Sequence, residues 1–257
     1  MFAYPRRVSP VEVRNLDDPA DHAAVATLLG SIWHDDGTIP IEPHLFTAVA
    51  HGGGYVVGAY DVDGTLLGGS LGLLARTEHE WMLHSHVTGV RRGFEHRGIG
   101  AVMKRHQRTW ARSRELAAVT WTFDPLVRRN AWFNLAKLGA NIVGYREQFY
   151  GTAGDDLNAC DETDRVLVRW DVVVDSVNST RHGAMVVDAT GVRSHRPIDA
   201  DVLNVATPLD VIGLRRSDPV AALEWRRATR AAFLDAYAAG FVVRGIDRDG
   251  NYTLERS

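Results

Sequence analysis

The stretch that decides the fold reads Leu83-His84-Ser85-His86-Val87-Thr88-Gly89-Val90 and continues as Arg91-Arg92-Gly93-Phe94-Glu95-His96-Arg97-Gly98-Ile99-Gly100. Its first part predicts a strand, and the glycines that follow predict a turn. From Gly100 to Glu115 the apolar residues recur at helical spacing, which indicates an amphipathic helix on a sheet. We place Val102, Met103, His106 and Trp110 on the sheet-facing side of this helix and Lys104, Arg105, Arg108 and Arg112 on the opposite side.

A strand, a glycine turn and a helix start form the geometry of an anion site. The amides of the first helical turn have no partner within the helix, and the helix dipole also favours negative charge there. A dinucleotide fingerprint would need glycine or alanine at Met103, and a Walker loop would need a Gly-Lys-Ser/Thr ending. The sequence meets neither condition. The remaining interpretations of this segment are a coenzyme A site and a purely structural turn.

The rest of the chain alternates helical and strand-like segments. Before this stretch we predict a strand at 11–14, helices at about 17–33 and 42–50, a strand at 55–60 and a hairpin turn at Asp63-Gly64. After it we predict a strand at 117–123, a helix at 128–138 ended by Gly139, strand-rich stretches at 142–149 and 166–173, a helix from Pro219 to Gly240 and two final strands around Asp249-Gly250. The pattern predicts a mixed α/β protein with one domain at 1–174 and a C-terminal subdomain at 175–257 that shapes the acceptor pocket.

Composition narrows the class of protein. The 257 residues are 45% hydrophobic and 24% charged, with a formal net charge of −3, so we expect a folded chain that binds neither nucleic acid nor membrane. The single Cys160 lies beside Asp161 and Glu162, whose charges raise a thiol pKa, so we expect it to be structural or incidental. The N-terminal residues lack a signal-peptide pattern, which predicts a cytoplasmic protein. The histidines 79, 84, 86 and 96 lack the partners of a zinc site, and we expect no metal.

Taken together, these motifs resemble the GNAT superfamily of N-acyltransferases over about residues 11–170. The first signature is Val90 with Glu95-His96-Arg97-Gly98-Ile99-Gly100, where Glu95 replaces the usual Arg or Gln. The second is the strand 119–123, then Asp124-Pro125-Leu126, and then the segment from Arg129 to Ala140, where Leu135 replaces a tyrosine that acts as an acid in many relatives. The combination of Ser85-His86, the segment Thr122 to Leu126 and the helix with Trp225 to Arg230 also resembles a long GNAT branch, whose members often accompany N-succinylamino-acid racemases. The resemblance implies a GNAT fold, a largely antiparallel sheet flanked by helices, with a C-terminal α/β extension.

The resemblance also implies acyl transfer from acetyl-CoA or succinyl-CoA to an amine, without a metal. The residues expected to bind this cofactor are Gly89, Val90, Arg91, Arg92, Arg97, Gly98, Ile99, Gly100, Ala101, Asn130 and Phe133. For Asn130, capping the helix that it opens is the alternative role.

Candidate catalytic residues come from the strand and from the end of the next one. His84 and His86 share a strand face, and we predict His86 as the general base, with a structural role in the sheet as the alternative. Asp124 would receive a substrate ammonium or orient the base, unless it caps the following turn. For the acceptor we predict Ser85 together with Arg226 and Arg230, which are four residues apart on a helix and suit a carboxylate, although solvated surface arginines are commoner.

The expected acceptor is a small-molecule amine, with the α-amino group of an amino acid as the leading choice. A protein lysine is the second candidate, which a shallow acidic groove would favour. A third hypothesis, motivated by Glu95 and Leu135, is an inactive regulatory module that binds coenzyme A. The sequence is compatible with a homodimer.

Overall fold

The computed structural model describes residues 11–33, 41–151, 161–194 and 200–256. The chain divides into two compact units, Met1–Val119 and Thr120–Ser257. The domain boundary predicted near residue 175 falls inside the second unit. Cys160 lies outside the described residues, so its predicted structural or incidental role stays a prediction.

Local sequence signals fix where the first elements of the first unit begin and turn. Asp18 caps the first helix, because its Oδ1 accepts a hydrogen bond from the Ala20 amide at 2.8 Å. Gly64 has a φ of +78°, as the predicted hairpin turn requires. The described elements are β1 (Glu12–Asn15), α1 (Pro19–Trp33), α2 (Pro43–His51), β2 (Tyr55–Tyr60), β3 (Leu66–Arg76), β4 (Trp81–Val90), a 3-10 turn (Glu95–Arg97) and α3 (Ile99–Ser113).

Strands β1 to β4 are neighbours in chain order, and each pair is antiparallel. Helices cover both faces of β3, as two successive glycines show. A Cβ on Gly68 would lie 2.8 Å from Sδ of Met103 in α3, and a Cβ on Gly69 would lie 2.5 Å from Cγ1 of Val25 in α1. Because successive residues of a strand point to opposite faces, α1 and α3 lie on opposite sides of this sheet.

The second unit is richer in short elements. β5 (Ala118–Phe123) runs into it from the first unit and is followed by α4 (Arg128–Ala131) and a π-helical segment (Trp132–Lys137). Gly139 ends this helical stretch with a φ of +73°, as predicted. The remaining elements are β6 (Asn141–Arg146), β7 (Arg165–Asp171), β8 (Ala184–Val187), β9 (Val202–Ala206), α5 (Val211–Ser217), α6 (Pro219–Ala238), β10 (Phe241–Ile246) and β11 (Asn251–Arg256).

In the second unit, β7 lies between β5 and β6, and four more strands form a separate sheet in the order β10-β11-β9-β8. The pairs in this separate sheet are antiparallel except β8 with β9, which is parallel. The sequence pattern missed β8, β9 and α5. It placed α6 correctly, and Asp218 caps that helix by accepting from the Ala221 amide at 3.0 Å. The predicted mixed α/β class with a largely antiparallel sheet flanked by helices is confirmed.

None of the helices in the described residues has the length and apolar character that a bilayer crossing needs.

The contact between β3 and α1 yields a stability prediction. Gly69→Ala places a methyl group against the buried Val25, so we expect the free energy of unfolding to fall by about 1–3 kcal/mol, as overpacked cores do. The control is Gly144→Ala in β6, where the added Cβ meets only the end of the flexible Arg146 side chain at 3.2 Å. Urea unfolding measures both, and equal losses in the two variants would contradict the close packing of β3 against α1.

Candidate functional site

Strand β4 carries an extra residue at His86. In its pairing with β3, Ser85 lies opposite Gly72 and Val87 lies opposite Leu71, so His86 has no opposite residue. This is a β-bulge, which interrupts the ladder, bends the strand and often re-aims a side chain. The His86 side chain is exposed, whereas Ser85 is buried. The residue that the sequence predicts as the base therefore lies at the one irregularity in this strand pair.

The end of β4 leads through a glycine turn into α3. Gly93 and Gly98 have φ values of +85° and +77°, which residues with a Cβ adopt only with strain. Gly98 is the N-terminal cap of α3, and its carbonyl accepts from the Ala101 and Val102 amides at 3.0 and 3.2 Å. The amides of Ile99 and Gly100 therefore belong to the first turn, where amides point outward along the helix axis. An anion placed there would also benefit from the helix dipole.

Arginines surround this turn and are exposed. Arg91 donates from Nε to the Leu66 carbonyl at 2.9 Å, and Arg92 donates from Nη2 to the Ile32 carbonyl at 3.1 Å. The Arg97 guanidinium lies 4.4 Å from the centroid of the Phe94 ring. These contacts fix the side chains while leaving positive charge near the start of α3.

Under β4, α3 presents a polar network that the helical pattern did not predict. Lys104 was placed on the solvent side of α3, but it is only 5% exposed, so that assignment is wrong. Its Nζ donates to Ser85 Oγ at 2.8 Å and to Gln107 Oε1 at 3.0 Å. Gln107 Nε2 donates to Ser85 Oγ and to Ser70 Oγ, both at 2.9 Å. The predicted substrate residue Ser85 thus belongs to a buried network.

The two histidines of β4 differ in their surroundings. Burial, and then the charges of His86 and Lys104, lower the pKa of His84. Partial burial alone lowers the pKa of His86. A lowered imidazole pKa leaves the ring neutral at pH 7, which is the form that accepts a proton. Both rings therefore suit a base, and the exposed His86 is the more accessible of the two.

In the second unit, the predicted site residues Asp124 and Arg226 bind each other. Arg226 is fully buried and donates from Nη1 and Nη2 to the two oxygens of Asp124 at 2.7 and 2.8 Å. Arg226 Nη2 also donates to Asp161 Oδ2 at 2.8 Å, and Arg215 binds both aspartates. Asp124 Oδ1 further accepts from the Leu126 amide at 2.9 Å, which is the turn cap considered as its alternative role.

The charges in this cluster compensate one another. Burial alone would raise the pKa of Asp124, but the guanidinium groups of Arg226 and Arg215 hold it well below its usual range. Burial alone would lower the pKa of Arg226, and Asp124 and Asp161 raise it instead. Asp124 is therefore a carboxylate at neutral pH, and its two oxygens are occupied by partners from its own unit.

Arg230 lies one helical turn after Arg226 and has different partners. It donates from Nε to Asp164 Oδ2 at 2.8 Å and from Nη2 to Asp164 Oδ1 at 2.6 Å, and it also binds Glu162. Neither arginine is a solvated surface residue, which was the alternative weighed for the pair. Their predicted role in binding a substrate carboxylate stays a prediction, since their strongest contacts are with aspartates of the chain itself.

Asn130 and Phe133 lie in the helical stretch that follows β5. Asn130 is exposed and lies inside α4, whose N-terminal cap is Val127, so the alternative role of Asn130 as the cap is wrong. Phe133 is half-buried in the π-helical segment, with Lys137 Nζ 5.8 Å from its ring centroid. Leu135 is 3% exposed and has no group that can donate a proton.

No family model matches the sequence and no curated protein matches it, but solved structures do. A chain of the NatC complex bound to Gag peptide and CoA superposes with a TM-score of 0.50 and 13% identity, over 63% of this chain and 98% of that one. A candidate acetyltransferase from Salmonella typhimurium, solved with its cofactor acetyl-CoA, superposes with a TM-score of 0.51 and 14% identity, over 67% of this chain and 100% of that one. A candidate acetyltransferase from Acinetobacter baylyi superposes with a TM-score of 0.52 and 12% identity, over 66% of this chain and 94% of that one.

This chain has the GNAT fold. At these identities the likeness concerns the fold, and the racemase-associated branch stays a prediction. Within the GNAT fold, the first signature lies where the sequence placed it, with Val90 as the last residue of β4 and Gly98 as the cap of α3. Glu95 begins the 3-10 turn and is exposed.

A metal site has no support in the described part of the chain. Across residues 11–33, 41–151, 161–194 and 200–256, no three His, Cys, Asp or Glu side chains are grouped as a metal ion requires. The expectation of metal-free chemistry stays a prediction.

The buried ion cluster of the second unit yields a second prediction. Arg226→Met removes the bidentate partner of Asp124 and leaves two buried carboxylates with only part of their compensation, so we expect a loss of about 3–5 kcal/mol in unfolding free energy. Arg227→Met is the matched control, because its side chain is 65% exposed and lies 4.0 Å from Glu162. Urea unfolding at pH 7 compares them, and a loss below 1 kcal/mol for Arg226→Met would show that the cluster contributes little.

Proposed function

We propose that this protein is an acyl-CoA-dependent N-acyltransferase that moves an acetyl or succinyl group to the amino group of a small molecule, an amino acid in particular. One observation carries the proposal: a bulged strand ends in a turn with two glycines of positive φ and leads into the start of α3, within one compact unit of a GNAT fold. Such a unit offers a proton acceptor, outward amides and fixed positive charge close together in the chain.

The cofactor would be held by its phosphates and along its arm. The first-turn amides of Ile99 and Gly100 suit a pyrophosphate, Ala101 follows them in the same turn, and the exposed Arg91, Arg92 and Arg97 add positive charge around it. The Arg91 amide donates to the Leu67 carbonyl of the β3 segment, so by alternation the Val90 amide points away from β3 and suits the thioester oxygen. Gly89 is assigned to the pantetheine arm by the resemblance to GNAT proteins. The resemblance to GNAT proteins adds Asn130 and Phe133 to the arm contacts.

The chemistry needs a base, an oxyanion donor and an acid. The base takes a proton from the acceptor ammonium, and the free amine attacks the thioester carbon. The new C–N bond forms as the C–S bond breaks, and the departing thiolate takes up a proton. His86 is our base, because its side chain is accessible at the bulge and the partial burial of its ring lowers its pKa, which leaves the ring neutral at pH 7. The acid is unassigned, since Leu135 cannot serve.

Two acceptors and one non-catalytic function are the candidates. An amino acid is favoured by the resemblance to the racemase-associated branch, whereas Arg226 and Arg230 already bind aspartates of the chain. A protein lysine is the second candidate; the chain of the NatC complex was solved with a peptide, which favours a polypeptide acceptor without specifying a lysine. A regulatory module that binds coenzyme A without turnover is the third.

One assay separates these three functions. The purified protein is incubated with acetyl-CoA or succinyl-CoA and with either twenty amino acids or lysine-containing peptides, and release of the CoA thiol is followed. We expect turnover with amino acids. Turnover with peptides alone would move the acceptor to protein lysines, and thermal stabilisation by acetyl-CoA without any turnover would favour the regulatory module.

The anion site gives a third prediction. Arg97→Glu places a negative charge beside the start of α3, so we expect the Kd for acetyl-CoA to rise about tenfold, which corresponds to about 1.4 kcal/mol. Arg105→Glu makes the same charge change on an exposed part of the same helix, more than a turn further on, where salt screens it. Isothermal titration at 0.15 M salt compares the two. If the two variants bound acetyl-CoA with equal affinity, the diphosphate would have to bind elsewhere on the protein.

The base gives a fourth prediction. Because burial lowers the pKa of His86 below 6.5, its neutral form predominates at pH 7, and kcat/KM should fall as the pH drops through this lowered pKa. His86→Gln should reduce kcat by about 10²-fold and remove this acidic limb. His79→Gln, in an exposed turn before β4, is the control and should keep the wild-type kcat and the acidic limb. An acidic limb that survives in His86→Gln and disappears in His84→Gln would assign the base to His84.

A further inference from the structure

The bulge at His86 is held from both sides by one hydrogen-bonded network. Ser85, on one side of His86, accepts from Lys104 and Gln107 of α3. On the other side, Ser70 of β3 donates to the Val87 carbonyl at 2.8 Å and contacts Thr88 Oγ1 at 2.7 Å. A bulge leaves one residue unpaired and disrupts the ladder locally, so side-chain contacts on both sides of it can supply support that the ladder lacks.

The directions of these hydrogen bonds follow from counting hydrogens. Ser70 has one hydroxyl hydrogen, which goes to the Val87 carbonyl, so Thr88 donates to Ser70. Thr88 has then used its hydrogen, so in the 3.3 Å contact Ser85 donates to Thr88. Ser85 consequently accepts from both Lys104 and Gln107, and each hydroxyl has a single consistent role. Removal of the Lys104 amine would break the chain at its start.

Burying a lysine at this place carries a cost that an apolar residue would avoid. Lys104 is 5% exposed, and burial lowers its pKa to about 7. Replacing a whole buried polar network by apolar residues of similar volume is often neutral or stabilising, so stability alone does not account for a lysine here. Its amine donates to two acceptors at once, which a neutral amine or an ammonium can both do.

We propose that Lys104 is a positioning residue for acyl transfer, acting through Ser85 and Gln107 to fix the bulge that presents His86. Lys104 itself touches neither substrate nor thioester in this scheme. The inference rests on the proposed function for its kinetic part, whereas the control of bulge geometry can be tested without turnover.

The first experiment measures bulge order in the full-length protein. Hydrogen exchange of peptides spanning residues 83–90 is compared for wild type, Lys104→Met and the control Arg105→Met, which removes a cation from an exposed site of the same helix. We expect faster exchange at the bulge in Lys104→Met only, with wild-type exchange in α1 and β2. Unchanged exchange at the bulge would overturn the proposal. Faster exchange everywhere would also overturn it, because Lys104 would then support the fold as a whole.

The second experiment separates kcat from binding. In Lys104→Met we expect kcat to fall by about 10²-fold, as misplacement of a reacting group by about 1 Å can cause, while the Kd for acetyl-CoA stays within about twofold. The double variant with Ser85→Ala should lose little more than either single variant, because both changes break the same link. Additive losses, or a kcat equal to wild type, would overturn the proposal. If wild type shows no turnover with any acceptor, the proposed function fails, and the exchange experiment alone decides whether Lys104 holds the bulge.

Discussion

The extra residue in β4 is the constraint around which the first unit is built. A bulge breaks the regular pairing of β3 with β4, so the strand needs support that the ladder no longer provides. Helix α3 provides it by turning Lys104 and Gln107 toward the sheet, and these polar side chains occupy positions that an ordinary amphipathic helix fills with apolar ones. The same helix begins at the glycine turn after β4, so the orientation that supports the bulge also sets where the first-turn amides point.

The second unit contains a buried cluster of charged side chains. It buries two arginines and two aspartates together, with Arg226 bound to both Asp124 and Asp161. These residues come from the position after β5, from the segment before β7, from α5 and from α6, so the cluster ties distant parts of the chain to one another. Charges that compensate each other in this way are poor ligands for a free carboxylate, because a substrate would have to displace an aspartate that is already in place. Arg226 therefore contributes first to the architecture of its unit.

Local signals predicted much of the fold, and long-range contacts explain what they missed. Asp18, Gly64 and Gly139 each specify a cap or turn through their own backbone chemistry, so a sequence pattern is enough to place them. Lys104 was misplaced because a helical pattern assigns a lysine to water, whereas the bulge that binds it is a tertiary feature. Arg226 and Asp124 are 102 positions apart, so no local spacing could pair them. β8 and β9 went unpredicted because a short parallel pair lacks a hairpin turn between its strands.

The order of strands in the separate sheet of the second unit affects how this protein folds during synthesis. β11 lies between β10 and β9, although it is the last of the four to leave the ribosome. β9 can meet β8 early, yet one of its edges has no sheet partner until residues 251–256 have been translated. Until then a nascent chain exposes an open strand edge, which is a site for mispairing with other chains. Slow translation or chaperone binding over this last stretch would therefore matter more for yield than it would over the first unit.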